Sequence, residues 1–340
     1  MGTPEAMTPI ELMRHRNSLM HSEESVRKGR EFATRSTDVF IVTYPKCGTT
    51  WMTQLCHQLR CTRARAPSVD AMGFGEITEV VPWDILASDC GQRLEDDQVC
   101  EPRLFKSHES ASDIARGARY VCVVRDPMDV FHSFYHFLPP YMGIPHGAVT
   151  REAFADAVFA GASHSGQCWD HFLGWWDRRH EPETLIVCFE DMKENLEKVA
   201  RRVARHLFPP GAGGSGSAAA DLGEAALAGA CERSGFEAMR RDASKFDDHF
   251  VRRKMWTRVG IDESEWAPAG GAHVGKVREG GGAVGRGREA TSPELRRRID
   301  ARWDDVMRPR GFETYAAFRA AIEAHNAERD AKARSAGERE

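Results

Sequence analysis

Several features that would assign the chain to a common class are missing from its sequence. Its 340 residues contain no run of about 18–20 apolar residues, the length that a membrane-spanning helix needs. The N-terminus lacks the apolar core of a signal peptide, and no internal repeat is present. The nine cysteines show no C-x-x-C pairing, which predicts buried, reduced thiols. We therefore expect a cytoplasmic protein with no membrane partner.

The sequence also has no strong excess of charge of one sign. Its 47 Lys and Arg residues against 51 Asp and Glu residues give a net charge of −4, which predicts neither a nucleic-acid partner nor an anionic membrane surface. No obvious cluster of metal ligands is present, so no metal cofactor is predicted. The length suits one large α/β domain or two small ones.

The most informative segment is 43–51, Thr-Tyr-Pro-Lys-Cys-Gly-Thr-Thr-Trp. It follows the apolar run 39–42, typical of a buried strand, and precedes a helical pattern over 52–59. The segment is therefore a turn at a helix N-terminus, where free amides and the helix dipole favour anions. It is not the nucleoside-triphosphatase loop, because Lys46 precedes Gly48 and no second glycine is present. Its candidate ligands for a phosphate-like group are Lys46, Gly48, Thr49 and Thr50.

Four short runs of apolar and β-branched residues lack polar alternation, which is typical of parallel strands that helices cover on both faces. They span 38–44, 103–107, 120–124 and 185–189. Helical patterns separate the runs, and the clearest of these covers 191–208. The fold class that follows is α/β, with a doubly wound, mainly parallel sheet flanked by helices and a P-loop-like nucleotide-binding core.

The remaining segments set the expected domain limits. Residues 1–35 form a polar N-terminal segment, and 36–325 form a single α/β domain. Inside that domain, 209–217 is predicted to be a flexible surface loop, and 268–288 a loop too rich in glycine for the interior of a helix or strand. The charged residues 326–340 are predicted to be a disordered tail.

A second anion site is predicted where the run 120–124 ends. Arg125 leaves the carboxyl end of this strand, which is where ligands bind in open α/β sheets. Asp126 is a suitable N-cap and Pro127 suits the first helical position, so a helix follows directly. Ser133 lies close to two turns farther along that helix, on the side of Arg125. Two neighbouring anion sites suit a nucleotide with two separate anionic groups.

Between the two loops, a short strand ends in the candidate catalytic residues Lys106 and His108. Because side chains alternate along a strand, these two lie on one face. A neutral histidine supplies a general base whose pKa is near the working pH. A histidine is more often structural than catalytic, and His108 is selected among 14 because it follows a lysine-ended strand between two anion sites.

Together these segments resemble the motifs of the cytosolic sulfotransferases. The turn 43–51 is similar to their 5′-phosphosulfate loop, T-Y-P-K-S-G-T-T-W, with Cys47 in place of the usual serine. The unit 125–135 resembles the strand and helix that bind the 3′-phosphate of the donor. The segment 106–108 resembles the family's K-T-H, whose histidine is the general base. The resemblance extends over residues 36–320 and is weakest beyond 265.

The resemblance implies a donor, 3′-phosphoadenosine-5′-phosphosulfate (PAPS), and a nucleotide product, adenosine 3′,5′-bisphosphate (PAP), with no metal. Trp51 and Phe189 are expected beside the adenine, and 234–239 resembles the segment that closes over the base. The cofactor-binding residues implied in this way are Lys46, Cys47, Gly48, Thr49, Thr50, Trp51, Arg125, Ser133, Phe189, Ser234, Phe236, Met239, Arg278 and Gly280.

The C-terminal loop departs most from the family pattern. Sulfotransferases cover the 3′-phosphate with R-K-G-x-x-G-D-W, of which this chain keeps Arg278 and Gly280. Glu279 replaces the central lysine, and the Asp-Trp pair is missing. Either the loop binds more loosely, or Lys276 compensates for the lost charge.

The resemblance also implies the catalytic roles. By analogy with phosphoryl transfer, His108 deprotonates the acceptor, Lys46 neutralises the bridging oxygen and Lys106 stabilises the sulfonyl oxygens. The acceptor is expected to be a small phenol, alcohol, sterol or amine. The aromatic residues expected to line its pocket are Phe74, Trp83, Phe137, Tyr141 and Trp256. The family's dimerisation motif, K-x-x-x-T-V-x-x-x-E, is not found, and no oligomeric state is predicted.

Two alternatives to a sulfotransferase stay open at this stage. One is a small-molecule kinase, although the Walker lysine and a paired Mg²⁺ carboxylate are missing from the sequence. The other is a non-catalytic nucleotide-binding sensor on the same fold. Lys46, Lys106 and His108 together favour an enzyme over a sensor, because binding alone does not need all three.

Overall fold

One parallel sheet forms the centre of the protein. The structure is a computed structural model that describes residues 7–64, 70–161, 163–209, 222–262, 275–277 and 282–337. Its strands are β1 Val39–Thr43, β2 Leu104–Ser107, β3 Arg119–Val124 and β4 Thr184–Cys188. All pairs are parallel, in the order β2-β1-β3-β4. Each strand lies within one residue of a predicted run, so the four predicted strands are confirmed.

Helices precede, connect and follow the strands, but residues 108–118 between β2 and β3 form no helix, so the predicted helical separation of the strands is wrong there. Before β3 they are α1 Pro9–Ser18, α2 Glu23–Glu31, α3 Thr49–Ala64 and α4 Ile77–Val80. Between β3 and β4 they are α5 Pro127–Tyr141, α6 Arg151–Phe159 and α7 Cys168–Asp177. After β4 they are α8 Phe189–Glu194, α9 Leu196–Leu207, α10 Glu224–Arg233, α11 Phe236–Arg241, α12 His249–Val259, α13 Arg286–Ala290, α14 Pro293–Val306 and α15 Tyr315–Gly337. Short 3-10 turns occur at Asp84–Leu86, Ala243–Phe246 and Arg308–Arg310.

The sheet buries both of its faces. In β1, Val39 and Ile41 belong to one apolar cluster, whereas Phe40 and Val42 belong to another. Because successive side chains of a strand point to opposite faces, the two clusters lie on opposite sides of the sheet. Helices α3 and α9 pack in the first cluster, and α5, α7 and α14 pack in the second. The predicted doubly wound α/β class is confirmed.

The strand order determines where a ligand binds. The chain passes from β1 to β2 on one side and then returns to place β3 on the other side of β1. Open α/β sheets bind ligands at the carboxyl ends of the strands where the order reverses in this way. The predicted residues that follow those ends are Lys46, His108, Arg125 and Phe189.

The predicted helix over 191–208 is wrong at its start, because two helices meet there. Asn195 has extended backbone angles, and its side-chain oxygen accepts a hydrogen bond from the Lys198 amide at 2.9 Å. Its own amide donates to Asp191 O at 2.9 Å and ends α8. Asparagine favours a helix cap over a helix interior, because its short polar side chain bonds to nearby backbone. The prediction from apolar periodicity did not include this preference.

The predicted disordered tail is wrong for residues 326–337, which continue α15. Asn326 is buried and its side-chain amide donates to Ile186 O of β4 at 2.8 Å. Arg329 also donates to backbone carbonyls, those of Pro182 at 3.1 Å and of Thr184. Polar and charged side chains of this segment therefore form hydrogen bonds with the rest of the protein.

The described part of the N-terminal segment, residues 7–35, packs on the α/β domain. Met13 of α1 is fully buried, and Arg16 donates to Met142 O at 2.8 Å. None of the described helices combines the length and apolar character needed to cross a bilayer.

Two predicted loops fall largely outside the described residues. For 209–217, only Pro209 is described. In the Gly-rich segment 268–288, residues 286–288 begin α13, where a helix was not expected. That helix forms because the Gly287 amide donates to Asp129 Oδ1 at 2.6 Å and fixes it against α5.

Candidate functional site

A cavity of about 630 Å³ opens at the carboxyl ends of the strands. Its wall brings together most of the residues that the sequence singled out. They are Lys46, Gly48, Thr49, Thr50, Trp51, Lys106, His108, Arg125, Ser133, Phe189, Phe236 and Met239. Arg278 and Gly280 lie outside the described residues.

The turn after β1 has the backbone of an anion-binding loop. Lys46 has a φ of +74°, a left-handed conformation that costs about 1–2 kcal/mol in a residue with a Cβ atom. Gly48 has a φ of +106°, and a Cβ atom there would lie 2.8 Å from Cδ2 of Phe189. The loop then leads into α3, whose first amides have no partner within the helix, and the residues from Gly48 to Trp51 line the cavity. Only glycine fits the bend at residue 48.

Two predicted nucleotide ligands lie behind this wall rather than in it. Cys47 is fully buried in the apolar core, its amide donates to Tyr44 O at 3.2 Å, and burial raises the pKa of its thiol. Ser234 is also buried, and its carbonyl accepts the indole N–H of Trp51 at 2.8 Å. Within the described parts of the chain, the Ser234 hydroxyl finds no hydrogen-bond partner. Both residues therefore support the cavity wall without lining the cavity.

The imidazole of His108 is held in one tautomer. Its Nδ1 lies 2.7 Å from Thr43 O, and a carbonyl oxygen only accepts, so Nδ1 carries the hydrogen and Nε2 has the free lone pair. Thr43 Oγ1 is 2.5 Å from Thr49 Oγ1, which connects the imidazole to the anion loop. Burial and the positive charge of Lys106 lower the pKa of His108 well below its ordinary value. The ring is therefore neutral at pH 7.

Lys106 lies in a buried charge cluster beside this imidazole. Its ammonium is 3.4 Å from Asp248 Oδ1 and 3.7 Å from the centre of the Trp83 ring. Burial lowers the pKa of Lys106 to about 8. Burial opposes the ionised form of Asp248 as well, but the charges of Lys106 and Lys276 hold the pKa of that carboxyl below its usual value. Asp248 is therefore ionised and Lys106 is mostly protonated near pH 7.

Arg125 forms the second cationic position, as predicted. Its guanidinium stacks 4.2 Å from the centre of the Phe189 ring and donates to Lys46 O at 3.3 Å and to Ala283 O at 3.4 Å. Asp129 Oδ2 lies 3.8 Å away. The buried Nε atom has no hydrogen-bond partner in the described residues. A buried donor of this kind fits an anionic ligand.

An aromatic surface lies between the two cationic positions and α11. Trp51 and Phe189 meet edge to face at 5.5 Å, and Phe236 and Met239 complete the same part of the wall. Lys193, which the sequence gave no reason to select, contributes a further cation to the cavity. Flat rings next to cationic groups suit a purine nucleotide.

The opposite side of the cavity is mostly apolar. Of the predicted acceptor residues, Trp83, Phe137 and Tyr141 line it. Phe74 and Trp256 do not line it: Phe74 packs on Phe246 at 6.2 Å, and the Trp256 indole donates to Tyr141 O at 3.2 Å. The sequence did not predict the contribution of the N-terminal segment, which supplies Asn17, Met20 and His21.

Asp248 is the most important residue that the sequence reading missed. It immediately precedes α12 and lies 140 residues after His108 in the chain. Its ion-pair partner is Lys106, which lies beside His108 in the site. The local signal is an acidic pair, Asp247-Asp248, ahead of a helical pattern, which usually indicates a helix cap. Asp248 is the N-cap residue of α12, but its side chain makes no capping hydrogen bond, and the residue lines the cavity.

A parallel α/β sheet with cationic groups at two neighbouring strand ends is the arrangement of an α/β nucleotide-binding fold. The family model described as the sulfotransferase domain matches residues 36–257. The chain therefore belongs to the sulfotransferase family.

Curated relatives agree with this assignment. The chain is 24% identical over 220 residues to sulfotransferase 6B1 of Danio rerio, covering 62% of this chain and 71% of the relative. It is 25% identical over 191 residues to sulfotransferase 1E1 of Bos taurus, covering 54% and 63%. It is 28% identical over 187 residues to the amine sulfotransferase of Oryctolagus cuniculus, covering 52% and 58%. The matches to the second and third relatives span less than two thirds of their length.

Solved structures show the same fold. Retinol dehydratase in complex with androsterone and PAP superposes with a TM-score of 0.60 at 17% identity, covering 83% of this chain and 85% of that one. Mouse sulfotransferase SULT7A1 with PAP gives a TM-score of 0.57 at 20% identity, covering 85% and 91%.

Proposed function

We propose that this protein transfers a sulfonate group from PAPS to a hydroxyl or amine group of a small-molecule acceptor. The observation that carries the proposal is the position of His108. Its Nε2 lone pair lies on the wall of the same cavity as the anion loop and Arg125. A base beside two anion sites serves a transfer reaction, whereas a sensor needs only the anion sites.

The residues of the cavity fit such a donor. The bend at Gly48, the left-handed Lys46 and the amides at the start of α3 suit the 5′-phosphosulfate. Arg125 and Ser133 suit the 3′-phosphate, and Trp51 and Phe189 suit the adenine. PAPS supplies the activated sulfonate.

Each polar group of the centre then has a role. His108 Nε2 accepts the proton of the acceptor as the acceptor oxygen or nitrogen bonds to sulfur and the bond from sulfur to the bridging oxygen breaks. Lys46 stabilises the charge that develops on that oxygen, and Lys106 stabilises the sulfonyl oxygens. Thr43 holds the imidazole through Nδ1, so that the basic nitrogen faces the cavity.

The acceptor side favours a mainly apolar molecule. Trp83, Phe137 and Tyr141 line it, and Lys46 lies 3.5 Å from the centre of the Phe137 ring. Aromatic walls of this kind suit a phenol or a fused-ring alcohol. Relatives named for an amine and a neighbour that binds androsterone are consistent with this range of acceptors.

The test separates chemistry from binding. His108→Ala is expected to abolish sulfonate transfer and to leave the dissociation constant of PAP within about twofold, because the imidazole contacts the acceptor and not the nucleotide. Turnover with radiolabelled PAPS and calorimetry with PAP measure the two. Lost PAP binding with residual turnover would contradict the assignment.

The kinase alternative makes a different prediction for ligand binding. Saturating PAP, at about 100 times its dissociation constant, is expected to stabilise the protein by about 2.7 kcal/mol. ATP with Mg²⁺ is expected to give a smaller rise in melting temperature. A rise with ATP and Mg²⁺ alone would favour a kinase.

A further inference from the structure

Lys276 reaches the centre of the site from the C-terminal segment. Residues 275–277 line the cavity, and the Lys276 side chain is 11% exposed. Its ammonium forms an ion pair with Asp248 Oδ2. In the sequence this lysine was a candidate to replace the charge that Glu279 removed from the loop over the 3′-phosphate. Its ion pair with Asp248 places it near Lys106 instead.

Asp248 bridges two lysines. Its Oδ1 lies 3.4 Å from Lys106 Nζ, and its Oδ2 pairs with Lys276, while the residue itself is 1% exposed. Lys106 lies near the end of β2, two residues before His108. A single buried carboxylate therefore holds two ammonium groups beside the catalytic base.

This arrangement is separate from the position expected to bind the 3′-phosphate. Arg125 contacts Lys46 O, Phe189, Ala283 O and Asp129. None of these residues bonds to Asp248 in the described part of the chain. The cation of Lys276 therefore belongs with Lys106 and His108, where the reacting group would lie.

The backbone conformation of Asp248 supports a functional role for its ion pairs with Lys106 and Lys276. Its φ of +62° is left-handed, which costs about 1–2 kcal/mol in a residue with a Cβ atom. Asp248 precedes α12, yet its side chain makes no capping hydrogen bond there and points to the lysines instead. Strain that local capping does not explain is typical of a site residue.

The charges of the bridge leave a surplus for an anion. Two ammonium groups face one carboxylate, and each ammonium has three donors, of which the bridge needs one. Glu76 is the other buried carboxyl of the cluster, and burial with the nearby charge of Asp248 raises its pKa to about 7. Lys276 and Lys106 thus have donors left for an incoming anionic group.

We propose that Lys276 is a further binding residue for the sulfonate end of the donor, and that Asp248 is the positioning residue that holds Lys276 and Lys106 side by side. The proposal rests on the proposed function. It assigns the lysine of the C-terminal segment to the transferred group and not to the 3′-phosphate.

Three nucleotides test this assignment by equilibrium binding without acceptor. PAP has both phosphates and no sulfonate, adenosine 5′-phosphosulfate has the sulfonate and no 3′-phosphate, and PAPS has both groups. For Lys276→Met, calorimetry is expected to show dissociation constants about tenfold higher for PAPS and for adenosine 5′-phosphosulfate, with PAP changed by less than about twofold. Lys254→Met, on the exposed face of α12, is the matched control and is expected to change none of the three.

Two outcomes would overturn the proposal. Equal losses for PAP and PAPS, with adenosine 5′-phosphosulfate unchanged, would place Lys276 on the 3′-phosphate. Unchanged binding of all three nucleotides would remove it from the donor site. If the unmodified protein bound none of them, the proposed function itself would fail, which is a different result from either.

Asp248 is tested through the ratio of the PAPS and PAP dissociation constants. Asp248→Asn is expected to lose most of the preference for PAPS over PAP. Asp248→Gly removes the carboxylate and also relieves the left-handed backbone, so it is expected to lose the same preference while unfolding at higher urea than Asp248→Asn. A merely structural Asp248 would predict that the preference survives in both variants.

Discussion

At the scale of single residues, the properties of His108 follow from its two neighbours. Thr43 O fixes the hydrogen on Nδ1, and Lys106 adds a positive charge that opposes protonation at Nε2. Burial opposes it further. His108 therefore stays neutral over a wider acidic range than an exposed histidine, whose pKa is about 6.5.

This predicts the pH dependence of the reaction. Because the pKa of His108 is lowered, its neutral form persists as pH falls through 6.5, and kcat/KM is expected to decline only at a lower pH. As pH rises through about 8, Lys106 loses its proton and kcat/KM is expected to fall. A pH profile of kcat/KM reports these groups in the free enzyme. An acidic limb at pH 6.5 or above would contradict the assignment.

Gly48 carries a second prediction at this scale. Gly48→Ala adds a methyl group 2.8 Å from the Phe189 ring at a φ of +106°. We expect a loss of about 2 kcal/mol in unfolding free energy and at least about tenfold weaker PAP binding, because the displaced ring disturbs the stacked Arg125. Urea denaturation and calorimetry measure the two effects.

Gly91→Ala is the matched control for that substitution. Its φ is +77°, and no atom lies within 4 Å of the added methyl group. It is expected to lose stability through backbone strain alone and to bind PAP normally. Equal losses of PAP affinity in both variants would show that the contact with Phe189 is not the cause.

What the sequence predicted at this scale depends on chain neighbours. Lys46, His108 and Arg125 each follow a strand directly, so the strand prediction also placed them at the sheet edge. Asp248 comes from a remote turn, and its pairing with Lys106 exists only after the chain has folded. Cys47 lies in the turn that the motif predicted, but only packing shows that its side chain lies in the core.

At the scale of elements, side chains of α15 donate hydrogen bonds to the edge of β4. β4 is the edge strand of the sheet, so among the described residues no strand pairs with the carbonyls on its outer side. Asn326 and Arg329 of α15 donate to the carbonyls of Ile186 and Thr184. The charged composition of residues 326–340 predicted a disordered tail. Composition does not show which ion-pair partners those charges have, such as Arg202 for Asp330.

This pairing predicts the effect of Asn326→Ala. The substitution leaves the buried Ile186 carbonyl without its donor, so unfolding free energy is expected to fall by about 1–3 kcal/mol. Urea denaturation measures the change. Glu328→Ala, on the exposed side of the same helix, is the control and is expected to stay within about 0.5 kcal/mol of the parent. Equal stability of the two variants would mean that α15 does not protect the strand edge.

At the scale of the whole molecule, net charge and local charge have opposite signs. The chain has a net charge of −4, and from this the sequence excluded a polyanionic partner such as nucleic acid. The cavity nevertheless gathers cations from distant parts of the chain. They are Lys46, Lys106, Arg125, Lys193 and Lys276. The strand runs predicted the sheet that brings the first three together, whereas the position of Lys193 and the pairing of Lys276 with Asp248 required the tertiary structure.

Salt therefore distinguishes the local field from the net charge. If the cavity cations bind the nucleotide, raising NaCl from about 0.05 M to about 0.5 M is expected to weaken PAP binding on the order of tenfold, since screening reduces attraction to a polyanion. Repulsion from a net negative protein would give the opposite sign, because salt would then strengthen binding. Calorimetry at both concentrations decides between them. Uncharged adenosine is the control ligand and is expected to show little dependence on salt.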